Sequence, residues 1–316
     1  MDILKSELVM VADLKQDRLE KIRKSYPTVL TTENYDDLFN QKLDAAVIAT
    51  PPSTHFPIAK ACLEHGLHVL VEKPLTLCSA HAEELIELAE KKGLVLMVGH
   101  TFLYNAAVHS MKDLIDHGDL GQIYYLDAAR LNLGLFSRDL SVLWDLAPHD
   151  ISILLFLLNK LPLAVGAYGS SCAFNGIHDV AYVNMVFPDN IMAHIHVSWL
   201  DPCKVRRVTV VGSKKMAVYN DIEALEKIKI YDKGVEAPNF GNNFGEFQFS
   251  YRYGDILIPN IRLSEPLKTE CQQFLDCIIQ HEKPCSSGEV GLHVVKILEA
   301  AQRSLSNRGQ MEEIPW

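Results

Sequence analysis

The sequence predicts an α/β domain built on a parallel sheet, followed by an α+β domain with a large, mostly antiparallel sheet. Two changes of pattern predict it. From Leu8 to His100, short apolar runs alternate with amphipathic stretches, the grammar of a parallel sheet wrapped by helices. After Gly118-Asp-Leu-Gly121, a succession of long strand-like segments takes over. At 316 residues the chain can bury two cores, and the boundary is expected near residue 120, giving domains 1–120 and 121–316.

In the first domain, strands are expected at 8–13, 45–50, 68–72 and 95–99, and helices near 16–25, 53–65, 79–92 and 105–117. Gly66 and Gly93 stand where helix C-caps belong, and Pro57 falls in a first helical turn, where a missing N–H costs least. In the second, Gln122–Leu131, Ala164–Ala173, Val180–Phe187, Ile191–Leu200, Lys204–Val211 and Met216–Asn220 read as strands. His194, His196 and Ser198 alternate with Ile195, Val197 and Trp199, which predicts one covered and one outward face. That outward face is expected to build a homodimer or homotetramer. Two late helices, 268–280 and 289–306, are expected to return over this sheet, with Gly241–Gly254 as a long loop.

Composition excludes several classes. A formal net charge of −10 argues against nucleic-acid and anionic-membrane partners. No apolar run reaches the roughly 18 residues of a membrane span, and Asp2 and Glu7 spoil a secretory leader. The seven cysteines lack C-x-x-C spacing, so reduced thiols in a cytoplasmic protein are expected. The 13 histidines show no H-E-x-x-H spacing, which disfavours a metal-dependent hydrolase, and no metal is expected.

Val69-Leu70-Val71 is a short run suited to a strand buried on both faces, and Glu72-Lys73-Pro74 follows at its carboxyl end, where open α/β sheets place ligands. Pro74 cannot continue a central strand, so Lys73 is presented at a cleft, where an ammonium can orient a hydroxyl or take part in proton transfer. Asp145 and His149 are spaced i, i+4 and share one face of a helix. A carboxylate beside an imidazole suits a general base; it equally suits a structural hydrogen bond. Pro148 requires Asp145 to lie near the N-cap, with the proline in the first turn.

Together with Ala49-Thr-Pro-Pro-Ser-Thr-His55, Val98-Gly-His-Thr-Phe-Leu-Tyr-Asn105, Trp144–Ser152 and Glu265–Cys271, these motifs resemble the glucose-fructose oxidoreductase/inositol dehydrogenase (Gfo/Idh/MocA) family over nearly the whole chain. The resemblance implies a Rossmann-like first domain and NAD(P)-dependent oxidation of a sugar, sugar derivative or nucleotide sugar. Lys73, His149 and Asp145 would be catalytic. Cofactor contacts would come from Asp13, Thr50, Pro51, Ser53, His55, Glu72, Lys73 and His100. Substrate contacts would add Tyr104, Asn105, Arg130, Lys204 and Arg206. An acid at Asp13 repels a 2′-phosphate and favours NAD over NADP.

Each assignment has a plainer rival. Asp13, Ser53, Thr54 and Asn105 suit helix caps, and Lys204, Arg206 and Arg207 suit a charged strand edge. One departure matters: a G-x-G-x-x-G fingerprint should lie roughly 20 residues before the ribose acid, yet no glycine precedes Asp13. The first strand and glycine loop are therefore expected upstream of Met1 in a longer reading frame, with weak nucleotide binding and an exposed strand edge in the chain as given. The alternative function is a catalytically impaired, sugar-binding or structural relative.

Overall fold

The computed structural model describes residues 6–134, 136–137, 139–173, 175–236 and 250–316. In chain order the elements begin with β1 (Met10–Ala12), α1 (Gln16–Ser25), β2 (Leu30–Thr32), β3 (Ala45–Ile48), α2 (His55–Glu64), β4 (His68–Glu72), α3 (Ser79–Lys92) and β5 (Leu96–Gly99). They continue with α4 (Ala106–Asp116), β6 (Ile123–Leu133), α5 (Val142–Leu158), β7 (Ala164–Ser170), β8 (Val180–Val186) and β9 (Met192–Ser198). Last come β10 (Leu200–Gly212), β11 (Met216–Asn220), β12 (Ile228–Glu236), β13 (Ser250–Leu257), α6 (Pro266–Gln280), α7 (Gly288–Ser306) and β14 (Glu312–Glu313).

Two compact units result. The first joins Met1–His100 with Leu267–Val295, the second Thr101–Pro266 with Lys296–Trp316. The division thus falls at His100 rather than residue 120, because α4 packs on α5 and β11. Nor do both late helices cover the antiparallel sheet: α6 and the first half of α7 belong to the first unit.

The first unit carries two parallel ladders, β1–β2 and β3–β4–β5. Val69 and Val71 of β4 are fully buried among Ile48, Ala59, Cys62, Leu63, Leu85 and Val98, so α2 and α3, packed side by side, cover one face of the ladder. The expected caps are present; Gly93 ends α3 with φ 66°, a left-handed conformation that costs a residue with a Cβ energy. β3 pairs only with β4 among the described residues, and Val47 at its centre is 65% exposed, so this edge of the ladder is open. Beyond β5, Ser286 donates to Val98 O at 2.6 Å and receives no strand of its own, while Val98 N–H donates to Ser286 O at 2.8 Å.

The second unit is a nine-stranded sheet ordered β13-β12-β11-β10-β6-β9-β8-β7-β14, antiparallel except for the β6–β9 pair. Val165, Ala167, Ala181, Val183, Ala193, Ile195 and Val197 form its buried face, and α5, apolar around nearly its whole circumference, lies on it. The opposite face carries His194, His196 and Tyr182, the last stacked on His196 with ring centroids 4.2 Å apart. Ser304 of α7 accepts from Ala167 N–H at 2.8 Å, so the distal half of that helix does tie to this sheet. Residues 250–254 of the expected long loop open β13, and the rest of that loop lies outside the described residues. No helix among the described residues is long and apolar enough to cross a membrane.

Candidate active site

In the first unit, the residues singled out as cofactor contacts follow the carboxyl ends of parallel strands. Asp13 comes directly after β1, Thr50 and Pro51 after β3, Glu72 and Lys73 at the end of β4, and His100 after β5. This is the side of an α/β sheet where ligands bind. The Asp13 carboxylate accepts from Lys15 N–H at 2.8 Å and from Arg18 at 3.1 Å. The backbone donor at Lys15, aided by Arg18, holds its pKa below the usual carboxylate value against a small burial effect. Asp13 therefore shapes the turn into α1 and presents an ionised group there.

Thr54 does not cap α2 through its side chain. Its hydroxyl lies 2.7 Å from both Thr50 Oγ1 and Pro51 O, which stiffens the turn after β3. Ser53 and Pro51 are exposed. His55, expected to touch the cofactor, is fully buried: its ring sits 2.8 Å from Pro74 O through Nδ1 and 2.9 Å from Thr50 O through Nε2. It is a cross-tie between the two loops, not an open ligand. The Lys73–Pro74 peptide is cis. Glu72 Oε2 accepts from Lys73 N–H at 3.2 Å, and a Cβ on Gly99 would come within 3.1 Å of Glu72, so a side chain there would press on Glu72.

His100 is 1% exposed, and neither ring nitrogen has a hydrogen-bond partner among the described residues. Burial, with the Lys73 charge adding to it, pushes its pKa down to about 3. The ring is a neutral imidazole at physiological pH, able to offer one donor and one acceptor to a bound group.

In the second unit, α5 begins at Val142 with Ser141 as N-cap, so Pro148 lies in the second turn and not the first. The proline deprives Trp144 C=O of its helical donor. Asp145 and His149 still share a face one turn apart. The Asp145 carboxylate accepts from the indole N–H of Trp199 at 3.2 Å, and the His149 ring meets Phe102 edge-on with centroids 5.2 Å apart.

The expected substrate contacts divide. Asn105 caps α4 by accepting from Ala107 N–H at 2.9 Å and donates to Tyr219 Oη at 3.2 Å, and Tyr104 is buried. Arg130 does not reach outward: it is 5% exposed and gives Nε and Nη2 to the two oxygens of Asp150 at 2.8 and 2.9 Å. Arg206 pairs with Asp221 at 3.4 Å, whereas Lys204 and Arg207 are exposed. Trp199, Phe102, Tyr219 and Asp221 escaped the sequence reading. Trp199 alone left a trace, as a large aromatic at an inward position of the β9 alternation.

Comparison with known proteins settles the ancestry of this arrangement. Residues 3–100 match the oxidoreductase family model for an NAD-binding Rossmann fold, and residues 108–218 match the GFO/IDH/MocA C-terminal domain. The chain belongs to the GFO/IDH/MocA oxidoreductase family. It is 27% identical over 298 residues to UDP-N-acetylglucosamine 3-dehydrogenase of Acidithiobacillus ferrooxidans, covering 92% of this chain and 87% of that one. It is 23% identical over 316 residues to scyllo-inositol 2-dehydrogenase (NADP(+)) IolW of Bacillus subtilis, with 93% and 86% covered. The fold also matches aldose-aldose oxidoreductase from Caulobacter crescentus complexed with glycerol, with TM-score 0.81, 18% identity and 98% and 92% covered. The chain is thus a dehydrogenase-type enzyme of an NAD(P)-binding family whose relatives act on sugars and nucleotide sugars.

The residues present fit the cofactor class. An ionised acid follows β1, and a buried neutral imidazole with both nitrogens uncommitted follows β5. Among the described residues, no group of three or more His, Cys, Asp or Glu side chains could hold a metal ion.

Proposed function

We propose that this family member oxidises a secondary hydroxyl, or reduces the matching ketone, of a sugar or nucleotide sugar, with NAD as its preferred cofactor. The observation that carries the reading is the Lys73 turn at the carboxyl end of β4, in a chain that also sets Asp145 and His149 on one face of α5. The nicotinamide, when bound, supplies the hydride acceptor or donor. His149 takes the hydroxyl proton at its imidazole as the carbonyl forms, and the Lys73 ammonium is of the type that orients a hydroxyl and favours its alkoxide character. Asp145, held by the Trp199 N–H, sets the orientation of the helix face that bears the base. Asp13 supports the preference for NAD, since a fixed carboxylate repels a 2′-phosphate.

Supporting features extend the reading. All seven cysteines are free, in keeping with a cytoplasmic setting. The outward sheet face exposes Tyr125, Tyr168, Tyr182 and Met192, a surface suited to a second copy of the chain.

Turnover of a panel of sugars and nucleotide sugars with NAD, followed by the absorbance of reduced nicotinamide, tests the proposal. Lys73→Met and His149→Asn should each lower kcat roughly 10²-fold or more while the circular dichroism spectrum is retained. Near wild-type turnover by either variant would refute the assignment.

A further inference from the structure

Helix α5 carries a second carboxylate next to its candidate base, and its partner reaches that base by another route. Asp150 is 1% exposed and is gripped bidentately by Arg130 of β6. The guanidinium carbon of Arg130 also lies 4.5 Å from the centroid of the Phe102 ring, and that ring meets His149. One buried cation is therefore tied to the base twice, through the backbone by way of Asp150 and through space by way of Phe102.

The geometry gives each tie a separate task. Successive helical residues point about 100° apart, so anchoring Asp150 to β6 sets the rotation of α5 and thereby the direction in which His149 leaves it. Phe102, on the short 3₁₀ turn Thr101–Tyr104, then limits the swing of the ring about its own bonds. Arginine suits both contacts because its planar fork binds a carboxylate bidentately while its face stacks on an aromatic ring; lysine could do neither equally well.

The surroundings reinforce this placement. Arg130 stands directly opposite Arg206 in the β6–β10 register, a like-charge pair that would repel. Each has its own carboxylate: Asp150 for Arg130, and Asp221 for Arg206 at 3.4 Å. Tyr219 donates to Asp221 at 2.9 Å and accepts from Asn105, the cap of α4, so the array links β10 and β11 to the helix next to α5. A buried ion pair is often matched in stability by apolar residues of like volume. Its use here is geometric.

We infer that Arg130, Phe102 and Asp150 are positioning residues that fix the direction of the His149 imidazole. The inference rests on the reading of His149 as the base. The test uses the full chain labelled with ¹³C in its histidine rings, the His149 signal being assigned by its loss in His149→Asn. The wild-type signal should be a single line displaced by the Phe102 ring current. Phe102→Leu should move it toward the position of a freely rotating histidine, and Phe102→Tyr should restore it. Arg130→Met/Asp150→Leu, which removes both charges together and so guards against simple unfolding, should move it in the same direction. In turnover assays the same variants should lose kcat on the order of tenfold or more with KM nearly unchanged, as expected of a misdirected group.

An unmoved His149 line in a folded Arg130→Met/Asp150→Leu protein would overturn the inference. If His149→Asn kept its turnover, the assignment of the base would fall, while the line positions would still decide whether this array directs the ring.

Discussion

Replacing His100 with leucine should flatten the acid sensitivity of the protein. The imidazole is buried with neither nitrogen hydrogen-bonded among the described residues, and its pKa falls from 6.5 to about 3 through burial, aided by Lys73. The sign follows from proton counting. Below pH 6.5 the unfolded chain binds a proton at His100 that the folded chain refuses until pH reaches about 3, so unfolding takes up a proton and stability falls as pH falls through that window. Each pH unit is worth about 1.4 kcal/mol, so lowering the pH from 6.5 to 5 should remove about 2 kcal/mol. Above that window His100 is neutral in both states and contributes no slope. Leucine cannot titrate, and with no hydrogen bond to lose it should be tolerated well at neutral pH. Urea unfolding of both proteins at pH 7.5 and 5, followed by circular dichroism, gives the difference of differences. Other groups titrate in both proteins and cancel. A wild type and variant with parallel pH dependence would show that His100 is hydrated or paired, and the argument would be wrong.

Three further outcomes follow from other contacts. His55→Leu removes the cross-tie between Thr50 O and Pro74 O and should cost about 2 kcal/mol in urea unfolding, since one of these carbonyls loses its N–H donor and both lose the ring packed between them; unchanged stability would count against the tie. Trp199→Phe removes the indole donor to Asp145 and should lower stability by about 2 kcal/mol and reduce kcat more than it raises KM, whereas an unaltered kcat would detach Asp145 from the base. Light scattering at micromolar concentration should report a dimer or tetramer, and Tyr168→Glu/Tyr182→Glu on the outward face should dissociate it; a monomeric wild type would refute that interface.

Much of the fold was legible because burial writes itself into local pattern. Val69-Leu-Val71 had to be a central strand, and Gly66 and Gly93 had to end helices, since each signal rests on neighbours in sequence. β2 escaped notice because three residues, Leu30-Thr-Thr32, are too few to show alternation. β12 and β13 pair with one another at the sheet margin, and β13 is exposed along most of its length, so no inward stripe marked it. The unit boundary was misplaced for a topological reason: α4 and α6 each pack with the unit that their position in the sequence does not suggest.

The site divided along the same line. Lys73 and the Asp145/His149 spacing were visible because they lie within single elements. The ion pair of Arg130 was not visible, because its partner Asp150 is 20 residues away and on a different element, and Trp199 lies 54 residues from the carboxylate it serves. Such pairs are set by the third dimension, where a charged residue on a strand can face either a substrate or a helix.

That choice explains how one helix holds two acids with different work. Both oxygens of Asp150 face a buried guanidinium, so this carboxylate is committed to the position of α5. Asp145 accepts from an uncharged N–H and lies one turn from His149 on the same face of α5. Exchanging the two partners would reverse the roles: a guanidinium at Asp145 would place a full positive charge beside the base and oppose the imidazolium that proton uptake creates. The clamp on Asp150 therefore serves the position of α5, and the indole on Asp145 adds no charge of its own beside the proposed base.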